Sequence, residues 1–205
     1  MNKKLMIKAF FIFSGLVLAS CGQSSGNAPS ISSQTGGGGS GGSGGGGSTA
    51  CNPCKIFGTA VQYSGDILAV GSADNYCASD ANKPSGTSTY KVLYIDPGYR
   101  DLSTNWILHT NTAYVRPDGT AIGTTDSSGK LPNPLTNSIT GQTSTYYWTG
   151  ISASWTGSTS NCADFTDGSN GSVGIVGRGD FLTIAAVSAT GKTCDNSYSL
   201  YCVEQ

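Results

Sequence analysis

Six cysteines, Cys51, Cys54, Cys77, Cys162, Cys194 and Cys202, lie in a chain of 205 residues that opens with an export signal. In an oxidising compartment thiols pair rather than persist, so an even six constrains the chain to a disulfide-braced domain. That domain runs from residue 51 to 205, and spacing alone allows fifteen pairings within it.

The export signal is Met1-Asn-Lys-Lys, an apolar run over residues 9–18, and small residues before Cys21. A basic start, a short apolar core and a small-residue cut define a secretory signal over residues 1–20. The apolar run is too short to span a bilayer. Leu18-Ala19-Ser20-Cys21 resembles a bacterial lipobox, in which the cysteine becomes the lipidated first residue. Several acyl chains, each buried methylene worth about 0.8 kcal/mol, would then hold the protein on a membrane. Gly22 follows the cysteine without an acidic neighbour, which under the lipoprotein sorting pattern directs the protein to the outer membrane. Residues 21–50 then form a linker in which 36–48 are only Gly and Ser. Such a coil spans roughly 30 Å and supplies reach but no chemistry. Charged residues make up 11% of the chain and its net charge is −1. Nucleic-acid binding by phosphate neutralisation, which needs clustered Lys and Arg, is therefore excluded.

Periodicity predicts a strand over residues 55–63 and a helix over 67–82 that stops before Pro84. Further strands are expected at 90–95, 146–151, 181–187 and 198–203. Residues 113–124 predict a hairpin turned at Pro117-Asp118-Gly119. Between them, residues 152–180 read as one long irregular loop of Ser, Thr, Asn and Gly, and so much irregular chain in a compact domain is disordered or functional. The fold class is α+β.

Trp148-Thr149-Gly150, Asn161-Cys162 with Phe165, and Cys194 before Leu200-Tyr-Cys202-Val-Glu204 follow in order along the chain. This succession resembles the C-type lectin-like fold, and endostatin more closely. Ala73-Asp74 with Cys77, the run from Asp80 to Pro84, Tyr90-Lys91, Asp118-Gly119-Thr120, the run from Pro134 to Ile139 and the ending Leu200 to Gln205 resemble a domain of unknown function found in spirochaetal, including leptospiral, surface lipoproteins. The likeness covers essentially residues 55–205. It implies that Cys77 joins Cys202 and that Cys162 joins Cys194, each closure contributing about 3 to 5 kcal/mol. Cys51 and Cys54 remain. A Cys-x-x-Cys can be a redox pair, but the thioredoxin-like version lies between a strand and a helix. This one precedes a strand and contains Pro53, which favours a local structural disulfide, and no second close pair exists to complete a zinc site.

No catalytic residue is assigned and the protein is not read as an enzyme. His109 is the single histidine, follows Trp106-Ile-Leu108, and reads as structural. Asp and Glu number 12, scattered among turns with no singled-out pair. Calcium-binding lectins carry Glu-Pro-Asn or Gln-Pro-Asp after the Trp-x-Gly element, and neither triplet occurs here. Asp164, Asp167 and Asp180 could supply hard oxygen ligands, but no metal or cofactor is implied. Arg178-Gly179-Asp180 is the tripeptide that integrins read, and its Gly-rich flanks suit an exposed tip or an ordinary turn. Trp155, Tyr146 and Tyr147 are candidate anchors for a partner, whereas Trp148 reads as core. Endostatin grips heparin through clustered Arg; Arg100, Arg116 and Arg178 are too dispersed here to carry that over.

The expected function is a surface-exposed lipoprotein whose domain binds host extracellular-matrix or plasma proteins, integrin among them. The competing readings are a carbohydrate-binding lectin and a structural envelope lipoprotein. The host-ligand part rests on the resemblance, since fold likeness alone does not fix function.

Overall fold

The structure is a computed structural model and describes residues 51–68 and 72–205. The expected signal peptide, lipidated Cys21 and linker lie outside the described residues. Among the described residues no helix is long and apolar enough to cross a membrane. The architecture is mixed α/β, mostly strands with few helices.

Strand β8 (Tyr201–Glu204) organises the larger sheet, whose order is β2-β8-β1-β3-β4. It pairs antiparallel with β2 (Tyr90–Val92) on one side and with β1 (Cys54–Gly58) on the other. Side chains alternate across a strand. Ile56, Tyr201 and Val203 therefore enter one apolar cluster, and Phe57, Cys202 and Val92 enter a second. All four residues of β8 are buried, as expected of a strand covered on both faces. Strand β3 (Ala113–Val115) runs parallel to β1 and turns back into β4 (Ala121–Thr124). The turn is the expected one: Gly119 donates to the Arg116 carbonyl at 2.9 Å and holds φ at 88°, a conformation that favours glycine.

The smaller sheet, β5-β6-β7, comprises Tyr146–Trp148, Val173–Arg178 and Thr190–Thr193. Strand β6 occupies part of the expected long loop. Its two inner glycines hid it: a Cβ at Gly174 would lie 2.6 Å from the Cys162 Sγ, and one at Gly177 would overlap the Ala186 carbonyl. The strand expected at 181–187 is instead a 3-10 turn, Ile184–Ala186, whose backbone presses on Gly177. The expected helix over 67–82 shortens to α1, Asp74–Ser79. Asp80 stops it by taking an extended backbone and accepting from the Ala60 and Asn82 N–H groups at 3.0 and 2.8 Å.

Disulfides join Cys51 to Cys54, Cys77 to Cys202 and Cys162 to Cys194. The second ties α1 to β8. The third fixes α2 (Cys162–Phe165), a single helical turn with positive φ at all four residues. Left-handed winding costs roughly 1 to 2 kcal/mol per non-glycine residue. The disulfide, the buried Phe165 ring and the Asn161 side chain, which accepts from the Asp164 N–H at 3.1 Å, hold the turn in place. A further tie is Arg100, 2% exposed, whose Nη1 and Nη2 donate to both Asp74 carboxylate oxygens at 3.1 and 2.8 Å. Nη1 also donates to the Val92 carbonyl at 2.6 Å, and the guanidinium lies 4.6 Å from the centre of the Tyr94 ring.

Burial pushes the Tyr90 and Tyr114 phenols up to about 12 and raises those of Tyr94, Tyr147 and Tyr201. A raised folded-state value stabilises the fold fully below the unfolded value near 10 and loses that contribution as pH climbs to the folded one. Each such ring then removes about 1.4 kcal/mol per pH unit in that window. Denaturant midpoints are expected to stay level from about pH 7 to 9 and to fall steeply between about pH 10 and 12. A level midpoint at about pH 11 would contradict the burial of these rings.

Candidate functional site

Strand β1 passes close to the aromatic core at Gly58, where a Cβ would sit 2.7 Å from Tyr147 Cε1. An open cleft of about 310 Å³ lies against this part of β1. Its base is Ile56 to Gly58, and its rims are Asn82, the β3–β4 hairpin tip and the segment carrying Thr140 and Gln142. Arg116 sets the width. Its Nε and Nη2 donate to the Ser138 carbonyl at 2.8 and 2.5 Å, fastening the 138–142 segment beside the hairpin. Asn82 is fixed by donating to the Gly58 carbonyl at 2.9 Å.

The groups left free for a ligand are those at the rim. Pro117, Asp118 and Gln142 are exposed. The Thr120 backbone N–H, 2.9 Å from Asp118 Oδ1, holds that carboxyl below the usual carboxylate range, so it is anionic at neutral pH. Gln142 Oε1 accepts from the Tyr147 hydroxyl at 3.1 Å, which leaves its amide N–H groups facing outward chemistry. The cleft thus offers a carboxylate acceptor, amide donors and an apolar base.

The Arg178-Gly179-Asp180 triplet is not an exposed tip. Arg178 is the last residue of β6 and pairs with Tyr146, while Gly179 is buried against Tyr147 and Thr140. The two charges are spent on each other: Arg178 Nε and Nη2 donate to the two Asp180 oxygens at 2.8 and 2.9 Å. That bond holds the Asp180 carboxyl below its ordinary value. An integrin site needs the carboxylate and the guanidinium pointing to different partners, so the triplet is a closed clasp at the edge of the smaller sheet.

The candidate aromatic anchors also separate. Tyr147 is fully buried and stacks on Tyr201 with ring centres 3.9 Å apart. Trp155 is 8% exposed and meets Trp106 edge-on, contributing one wall of a groove of about 220 Å³ with Pro97 and Leu102. Neither is a free anchor, because both are packed into the core. Tyr146 is half-buried, with the Lys192 ammonium 4.7 Å from its ring centre. Trp148 is core, as expected. The three acids considered for calcium are each engaged locally: Asp164 by Asn161, Asp167 by Ser169, Asp180 by Arg178. They form no metal-ligand cluster among the described residues; the group of that kind found there is Cys51, Cys54 and His109. Reasoning from sequence missed the cleft, whose only linear trace is the Pro117-Asp118-Gly119 turn.

The family described as Protein of unknown function (DUF1554) matches residues 60–181. The chain belongs to that family. The matched segment carries α1, β2 to β6, α2 and the rim residues Asn82, Asp118 and Gln142. It includes Cys77 and Cys162, while their partners Cys202 and Cys194 lie beyond it. No curated protein matches the chain.

Proposed function

We propose that the protein is a lipid-anchored outer-membrane lipoprotein that displays an endostatin-like, C-type lectin-like domain at the cell surface as a binding module for host extracellular-matrix or plasma proteins. The observation that carries this reading is the cleft between the hairpin tip and the Thr140–Gln142 segment. Its rim bears polar groups open to a ligand, on a frame fixed by Arg116. Unspent hydrogen-bonding groups on a rigid frame favour association, because little ordering entropy is lost on binding.

The test is retention of the full chain on a panel of matrix and plasma proteins, with and without a chelator. Binding of the wild type is expected to survive chelation. The double variant Asp118→Ala/Gln142→Ala is expected to weaken it about tenfold, the effect of roughly 1.4 kcal/mol. Asp180→Glu, in contrast, leaves it within about twofold. Wild-type affinity in the double variant would remove the cleft from the proposal, and loss of binding in Asp180→Glu would restore the integrin-type reading.

A further inference from the structure

The three disulfides are not equivalent. Cys77, Cys202, Cys162 and Cys194 are each 0% exposed, so no external thiol can reach either sulfur pair in the folded protein. The Cys51–Cys54 pair differs: Cys54 is 0% exposed, but Cys51 is half-buried and is followed by exposed Asn52 and Pro53. Only the outer sulfur of this pair is open to attack.

His109 stands beside the pair. Cys54 opens β1 and is the register partner of Tyr114 on β3. The Tyr114 hydroxyl accepts from the His109 backbone N–H at 2.7 Å, which fastens the 107–109 segment beside the disulfide. Ligand atoms of Cys51, Cys54 and His109 consequently all lie within 4.8 Å of one another. The His109 Nε2 is shielded from solvent and has no hydrogen-bond partner. A buried polar atom without a partner is costly and calls for an explanation, of which a redox or catalytic role is one.

We propose that Cys51–Cys54 is a thiol–disulfide exchange centre, with His109 as the group that handles the proton of the departing Cys54 thiolate. A thiolate of an external dithiol attacks the Cys51 Sγ, forming a mixed disulfide. The Cys51–Cys54 bond breaks, and its electron pair leaves on Cys54 Sγ, which takes a proton from the His109 imidazolium. The second thiol of the reagent, losing its proton to solvent, attacks its own sulfur in the mixed disulfide and frees the Cys51 thiolate; solvent then returns the two protons the reagent released, one to Cys51 and one to the His109 imidazole. The dithiol is oxidised by two electrons, the protein disulfide is reduced by two, and both reagent protons end on Cys51 and Cys54. A leaving thiolate departs faster when its charge is neutralised, which is the service the imidazole supplies.

Other ionisable groups bordering the pair are few. The Glu204 backbone oxygen lies 3.8 Å from Cys51 Sγ, while its carboxylate accepts from the Lys55 backbone N–H at 2.9 Å. The Tyr114 phenol is pushed up to about 12 by burial and stays neutral.

The experiment treats the full folded chain with dithiothreitol, quenches with acid, alkylates the free thiols and maps them by mass spectrometry. The Cys51–Cys54 bond is expected to open at least about tenfold faster than the other two. Its rate, corrected for the thiolate fraction of the reagent, should show an inflection with pH that His109→Gln removes while slowing the reaction about tenfold. Cys54→Ser should trap glutathione on Cys51 when glutathione disulfide is added. Equal opening of all three disulfides overturns the proposal, as does an unmodified Cys51 in Cys54→Ser. An unchanged rate and pH profile in His109→Gln removes the histidine and with it the mechanism. The wild-type and Cys54→Ser arms decide the matter even where His109→Gln fails to fold.

Discussion

The double variant Cys77→Ala/Cys202→Ala is expected to lose about 5 kcal/mol of unfolding free energy. The two cysteines are 125 residues apart, and the chain-entropy relation gives a loop of that length close to the largest effect a single bridge can have. The same relation gives about 4 kcal/mol for Cys162–Cys194, separated by 32, and only about 1.5 kcal/mol for Cys51–Cys54, separated by 3. A domain of ordinary stability has roughly 5 to 15 kcal/mol in total, so the first loss alone can leave the variant largely unfolded at 37 °C. Packing adds to it, since both sulfurs are buried in the cluster around Trp148 and Phe57. Denaturant titration of the three double-alanine variants checks the order. A Cys77/Cys202 variant as stable as the Cys51/Cys54 one would mean that α1 is held to β8 by other contacts.

Arg100→Ala is expected to cost about 3 to 5 kcal/mol, the usual penalty for removing one member of a buried ion pair. The cause is less the attraction lost than the groups left behind. Asp74 would keep a partly desolvated charge, with its remaining contact the Val92 N–H at 2.8 Å, and the Val92 carbonyl would lose its 2.6 Å donor. Arg100→Lys is expected to recover less than half, because an ammonium cannot span both Asp74 oxygens as the planar guanidinium does. Both Asp74 and Cys77 lie on α1, so the Arg100 and Cys77/Cys202 variants should be non-additive by about 1 kcal/mol. Additive losses measured by equilibrium denaturation would show that the helix does not dock as a unit.

Where a local rule governed, the sequence could be read. The hairpin at Pro117-Asp118-Gly119 follows from turn chemistry, and its predicted strands match β3 and β4. The Cys77–Cys202 and Cys162–Cys194 pairs came through resemblance and the Cys51–Cys54 pair from its local context, and all three are present. Where tertiary contact overrode local preference, reading failed. Gly174 and Gly177 lower the strand signal of β6, yet they are there because neighbouring atoms leave no room for a Cβ. Residues 181–187 look like a strand in isolation, but Ala186 and Val187 serve the core from a turn. The cleft was invisible for a different reason: its base and rims come from segments up to 86 residues apart, so no window of sequence contains it. Sequence left the Arg178-Gly179-Asp180 triplet open between an exposed tip and an ordinary turn, because it cannot reveal that two opposite charges two residues apart have closed on each other.

The placement of β1 has a mechanical consequence. Any pull delivered through residues preceding Cys51 enters the domain along a strand flanked on both sides, by β8 and by β3. Tension directed along such a strand loads its flanking hydrogen bonds together, in shear, whereas tension on an edge strand can peel them one at a time. Load applied there would therefore meet the sheet in its stiffest direction, with both neighbouring strands sharing it.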